Sequence, residues 1–175
     1  MSVQIESKGP NHLLALGLSQ QALQRVYEMR QACWKASGNI SFLALPPLIP
    51  LLWSNTSFTP FEQVKLPLLP KQCTFSQIIE ENQNLFLKTE EAEWLFIVDK
   101  IVAQYVPSEV LTKPFPAFPG IYLGANCGPK ERLFSPVTTN DWRLVYFQVE
   151  WETQKEQGLV ALRYEVISNR HLLTR

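Results

Sequence analysis

Apolar and polar residues alternate along this chain with two periods, and the change from one period to the other marks out its elements. Residues 12–18 form a short apolar run of strand length, and Ser19 then stands where a helix over 20–36 would take its N-cap. Leu23, Val26, Met29 or Arg30, and Cys33 recur at steps of three and four, and Gly38 supplies the stop. Residues 40–45 and 48–53 read as one extended segment broken by Pro46-Pro47, which predicts an edge or bulged strand. After an apolar patch at 64–69, residues 75–81 read as a helical turn and 84–88 as a strand. A second helix is expected over 90–105. Glu90, Glu91 and Glu93 suit its positive end, and Trp94, Ile97, Val98 and Ile101 form its apolar stripe. Pro107 ends it. A strand at 120–124 and a polar loop at 125–141 follow.

The clearest signal is a closing hairpin over 142–168. Val145, Phe147, Val149 and Trp151 share one face of its first strand, and Leu144, Tyr146, Gln148 and Glu150 share the other. Its second strand sets Val160, Leu162, Tyr164 and Val166 opposite Arg163 and Glu165. The apolar face is expected to receive the helices, leaving the mixed face partly open.

Composition narrows the function classes. The 175 residues suffice for one domain, and 46% hydrophobic content with 18% charge excludes disorder. Sixteen basic and sixteen acidic residues leave no net charge, hence no strong field for nucleic acid or anionic membrane. Cys33, Cys73 and Cys127 are too far apart for a zinc site or a disulfide framework, which fits a reducing cytoplasm. The longest apolar stretch, 42–53, is too short and too proline-broken to cross a bilayer. No metal or cofactor motif is found.

The shift that carries Leu13 onto Leu85 aligns a unit near 12–52 with one near 84–124. Under it Leu14 falls on Phe86, and Val26, Met29 and Cys33 fall on Val98, Ile101 and Tyr105. Both units end in Pro-x-Ile-x-Leu, at Pro47 to Leu51 and at Pro119 to Leu123. Apolar helical segments match easily, but a register held through three elements without a gap points to duplication.

With that repeat, the chain resembles the two-histidine phosphoesterase superfamily, which includes the 2′-5′ RNA ligase-like proteins. The resemblance covers nearly the whole chain and implies an α+β fold. In it, two duplicated strand–helix–strand lobes with antiparallel sheets surround a central cleft, as a single domain over 1–175. In that family each lobe contributes a His-x-Thr/Ser motif. The histidines act as acid and base on a cyclic phosphate, and the hydroxyls hold its oxygens. Here the histidine positions carry Leu48 and Gly120, and the hydroxyl positions carry Pro50 and Tyr122. None of the first three can exchange a proton or offer a hydroxyl. The implied function is a non-catalytic domain that binds a small ligand, an RNA end or a protein.

Leu48, Pro50, Gly120, Tyr122, Tyr146 and Arg163 are the expected cleft residues, with the mixed hairpin face lining the same cleft. Arg163 is the best contact for an anion, unless Glu150 or Glu165 already holds it across the strands. His12, His171, Cys127 and the Lys130-Glu131-Arg132 loop are weaker candidates, and Trp53 and Trp142 are possible stacking surfaces. Two other readings stay open. One is an active phosphoesterase with an altered site, and the other is an interaction subunit that buries 42–53 against another chain. A monomer or weak oligomer is expected.

Overall fold

The computed structural model describes residues 5–39, 45–58, 65–82, 84–105, 118–125, 134–154 and 158–174. In chain order its elements are β1 (Ile5–Gly17), α1 (Gln20–Ser37), β2 (Leu48–Ser54), β3 (Cys73–Phe75), β4 (Gln77–Glu81), β5 (Asn84–Lys88), α2 (Glu93–Val102), β6 (Gly120–Ala125), β7 (Val137–Thr139), β8 (Arg143–Gln154) and β9 (Gly158–His171). This is an α+β arrangement with three antiparallel sheets, ordered β2-β1-β8-β9, β3-β7 and β4-β5-β6. Among the described residues, no helix is long and apolar enough to cross a membrane.

Local chemistry explains most boundaries. Gly38 closes α1 in the left-handed conformation at φ 70°, its N–H donating to the Trp34 carbonyl at 2.7 Å. Ser19 occupies the N-cap but its side chain makes no capping bond. Its N–H donates instead to Thr139 Oγ1 of β7 at 2.9 Å, tying the helix start to another element. The second helix is shorter than the spacing predicts, because Glu91 lies before it, its N–H donating to Thr89 Oγ1 at 3.2 Å.

Two expectations are corrected. Residues 75–81 are not a helical turn: they span the end of β3 and all of β4, whose β-branched Ile78 and Ile79 pair with Leu87 and Phe86. The stretch 125–141 is not all loop, because Val137–Thr139 pairs with Cys73–Phe75. The segment 40–44 lies outside the described residues.

The apolar side chains form two clusters. The larger takes the buried faces of both helices together with Leu14, Leu16, Ile49, Leu51, Leu144 and Tyr146 of the four-stranded sheet. It also takes Leu85, Leu87, Ile121 and Leu123 of the three-stranded one. The smaller cluster, on the opposite face of the four-stranded sheet, holds Leu13, Ala15, Leu48, Val145, Phe147 and Val149. The expectation for the hairpin is therefore reversed. The helices share a core with the Leu144 and Tyr146 face, while Val145, Phe147 and Val149 pack on the other side. Each such side chain stabilises the fold by roughly 1.5–3 kcal/mol when fully buried.

The pairings β1–β2 and β5–β6 share one irregularity. Leu14 pairs with Leu52 and Ala15 with Pro50, which leaves Leu51 as the extra residue. Leu85 pairs with Gly124 and Phe86 with Tyr122, which leaves Leu123 as the extra residue. The two bulges are thus related by the same shift that aligns the two sequence units. The first strands correspond at a shift one position smaller, which carries Leu14 to Leu85 and Leu16 to Leu87. The helices keep the full shift. The buried residues Ala22, Val26, Met29, Arg30 and Cys33 fall on Trp94, Val98, Ile101, Val102 and Tyr105, all of them buried.

Candidate functional site

Ile49, Leu51, Ile121 and Leu123 all enter the larger cluster, and Cα atoms of β2 and β6 come within 8 Å of one another. Side chains alternate along a strand, so Leu48, Pro50, Gly120 and Tyr122 lie on the faces turned away from that core. These four positions therefore sit on neighbouring strands.

Their chemistry is apolar and closed. Leu48 is buried in the smaller cluster, and Pro50 is buried opposite Ala15. A Cβ on Gly120 would stand 3.0 Å from Phe118 Cε2 and 3.2 Å from Phe86 Cβ. The Phe118 ring meets Phe86 edge-on at 5.6 Å, so aromatic carbon occupies the space a larger side chain at 120 would need. Tyr122 is half-buried, its ring 5.7 Å from that of Phe86.

The cation in this region is one the spacing points to only as a helix-face position. Arg30 is fully buried, with its guanidinium carbon 5.9 Å from the centre of the Tyr122 ring. Burial draws its pKa down to about 10, against the influence of Tyr122, Tyr27 and Tyr164. It therefore remains charged at neutral pH. The signal for it is its place four residues after Val26 on the apolar face.

A groove of about 340 Å³ opens beside Leu48, over Pro46, Pro47, Val145 and Phe147, with Tyr164 at its wall. Gln20, Asp141, Arg143 and Asn169 supply its polar side chains, apart from the Tyr164 hydroxyl. Its floor has the character of an apolar binding surface and offers no proton carrier.

The structure does not bring all the expected cleft residues to that face. Tyr146 points into the larger cluster, and by alternation Gln148 and Glu150 follow it. Arg163 is exposed directly across from Glu150 on β9, so it shares the Tyr146 side and lies on the opposite face from Leu48. Trp142 is not a stacking surface. It is fully buried against Trp94 at 4.5 Å, and its indole N–H donates to the Pro70 carbonyl at 2.9 Å. Trp53 packs partly buried against the smaller cluster. Cys127, Lys130, Glu131 and Arg132 lie outside the described residues.

The two histidines each have a titratable neighbour, one pair exposed and the other sheltered. His171 Nδ1 is 3.5 Å from Asp141 Oδ1, and both side chains are exposed. His12 Nδ1 and the Tyr146 hydroxyl are hydrogen-bonded at 2.7 Å, with the Phe58 ring 5.3 Å from Tyr146 and 6.3 Å from His12. Burial lowers the His12 pKa and raises that of Tyr146. Burial also pushes the Cys73 thiol up to about 12, despite its bond to Thr89 Oγ1 at 3.3 Å, so it stays a thiol. Among the described residues no cluster of His, Cys, Asp and Glu could hold a metal ion.

No protein-family model matches this chain, and no curated protein matches it either.

Proposed function

We propose that this chain is a non-catalytic binding domain with the duplicated, two-lobed architecture of the two-histidine phosphoesterases, taking a flat and largely apolar ligand in the groove beside Leu48. The observation that carries the reading is the recurrence of one strand irregularity. Leu51 and Leu123 are the bulged residues of two antiparallel strand pairs, each joined through a helix, and the two bulged strands come close in space. The matching buried positions of the two helices support the same duplication.

The non-catalytic half of the proposal rests on chemistry. Acid–base attack on a cyclic phosphate needs two groups that exchange protons near neutrality. Leu48 and Gly120 cannot, and the Phe118 ring leaves little room at 120 for a replacement. The hydroxyl of Tyr122 stands a full ring away from the backbone, and the buried Arg30 guanidinium lies over the face of that ring.

The test has two arms. Incubation with 2′,3′-cyclic nucleotides is expected to give no turnover above a no-protein control. Turnover that disappears in Tyr122→Phe overturns the non-catalytic reading. A fluorescent flat anion such as anilinonaphthalene sulfonate is expected to bind saturably. Gly17 lines the groove, and Gly17→Leu should abolish that binding, since a Cβ at 17 meets Arg143 and Val145 only at an ordinary 3.5 Å and the longer side chain would fill the space. Unchanged binding in Gly17→Leu overturns the groove assignment.

A further inference from the structure

The strand β9 is an edge of the four-stranded sheet, is fourteen residues long, and among the described residues has no strand on its outer side. Long, exposed edges are normally shortened, bulged or guarded by charge. Here the bulges opposite Tyr146/Phe147 and Glu152/Thr153 lie towards the two ends and leave a regular stretch between them. That stretch carries Arg163, Tyr164, Glu165 and Val166, all exposed, with Tyr164 46% and Val166 49% accessible.

We propose that this edge pairs with the same edge of a second copy of the chain, antiparallel and centred on Tyr164, to make a continuous eight-stranded sheet. The argument is charge complementarity. A two-fold axis perpendicular to the sheet keeps each face on its own side, so opposed residues must share a face. Centring on Tyr164 sets Arg163 opposite the partner's Glu165, and Glu165 opposite the partner's Arg163. Centring one residue earlier sets arginine against arginine, and one residue later sets glutamate against glutamate. Like charges directly opposed are destabilising. The Tyr164 register runs from Gly158 opposite Arg170 to Arg170 opposite Gly158, and the register one residue later, equal in length, is the one that opposes glutamate to glutamate. On the other face it brings the two exposed Tyr164 rings together and extends the apolar surface of Phe147, whose ring is 5.8 Å from Tyr164. Arg163 keeps Glu150 across from it within its own chain, and the partner's carboxylate approaches from the outer side. Tyr164 also walls the groove beside Leu48, and the variants separate the two readings: Gly17→Leu leaves the β9 edge unchanged, while Arg163 and Glu165 lie on the face opposite the groove.

The experiment is sedimentation of the full chain over a wide concentration range, with Arg163→Glu, Glu165→Arg and the double swap. Wild type is expected to dimerise reversibly. Each single reversal turns two attractive pairs into two repulsive ones and should weaken the dimer roughly tenfold or more, and the double swap should restore it. A second measurement keeps the register testable if a variant is poorly folded. In a Cys127→Ser background, Tyr164→Cys should oxidise to a disulfide-linked dimer faster than Val166→Cys, because only position 164 faces itself. A wild type that stays monomeric throughout overturns the proposal. So does a dimer indifferent to the single reversals, one not restored by the double swap, or equal cross-linking at 164 and 166.

Discussion

Replacing Gly120 by alanine tests directly what fills the space at that position. The added methyl would stand 3.0 and 3.3 Å from two carbons of the Phe118 ring and 3.2 Å from Phe86 Cβ. Overpacking of this kind costs roughly 1–3 kcal/mol. Against it, alanine in a strand recovers roughly 0.5–1 kcal/mol of the entropy that glycine loses on folding. The two ranges leave a net loss of roughly 0–2.5 kcal/mol, and the three close contacts place the expectation at about 1–2 kcal/mol. For a chain of this size each kcal/mol moves Tm by about 2–4 °C, so the transition should fall by roughly 2–8 °C. Urea denaturation should show a lower midpoint with an unchanged slope. The control is Phe118→Ala. With the ring gone, the same glycine substitution should cost much less, leaving only the Phe86 contact, and the double-mutant cycle should show a clear coupling. A Gly120→Ala protein as stable as wild type, or additivity with Phe118→Ala, would mean that the ring does not close the position and would remove the steric part of the non-catalytic argument.

Leu48→Ala should cost roughly 2–5 kcal/mol by chemical denaturation, since it removes a buried side chain from the centre of the smaller cluster. Trp142→Phe should cost roughly 1–3 kcal/mol, because the Pro70 carbonyl loses its indole donor at 2.9 Å. His12 titrates lower in the folded chain than in the unfolded one, so the unfolded state binds more protons as pH falls below about 6.5. Stability from this group is therefore complete above that pH and is lost as pH drops through the folded value. His12→Gln should flatten that part of the pH–stability curve, and an unchanged slope would remove His12 as its source. Cys73, with its pKa at about 12, should react with a thiol reagent only on the timescale of unfolding, and rapid labelling of the native chain at Cys73 would contradict its burial.

The periodic elements are legible in the sequence because their signals are local. The stripe of α1 and its glycine stop depend on three- and four-residue spacing, and both agree with the structure to within a residue or two. The hairpin β8–β9 is equally plain. The assignment of its faces is what fails. Leu144 and Tyr146 look like members of a mixed face because Gln148 and Glu150 follow them on the same side. Polarity changes along that face as the strand leaves the core, so an average over the whole strand misjudges its buried end. Arg163 is misplaced with it. The strands β3, β4 and β7 escape the pattern because they are three to five residues long and gain their identity from partners far away in sequence. A bulge is invisible in the same way, since an extra residue is defined only against the strand it faces. That is why the sequence alignment sets the first strands one position out.

Under the shift that carries Leu51 to Leu123, two of the positions that differ in chemistry are in contact with each other. Under that shift every buried residue of α1 falls on a buried hydrophobic residue, and Arg30, which falls on Val102, is the charged one among them. Among the four positions facing away from the core on β2 and β6, Tyr122 carries the one polar side chain, and its counterpart is Pro50. Arg30 lies over the ring of Tyr122. A buried guanidinium is costly to desolvate, and the face of the Tyr122 ring offsets part of that cost. Holding a single one makes the surroundings of Tyr122 electrostatically unlike those of Pro50, although the strands beneath them follow the same bulged path. The buried charge thus sits against the second of these neighbouring strands, while the floor of the groove beside the first is apolar.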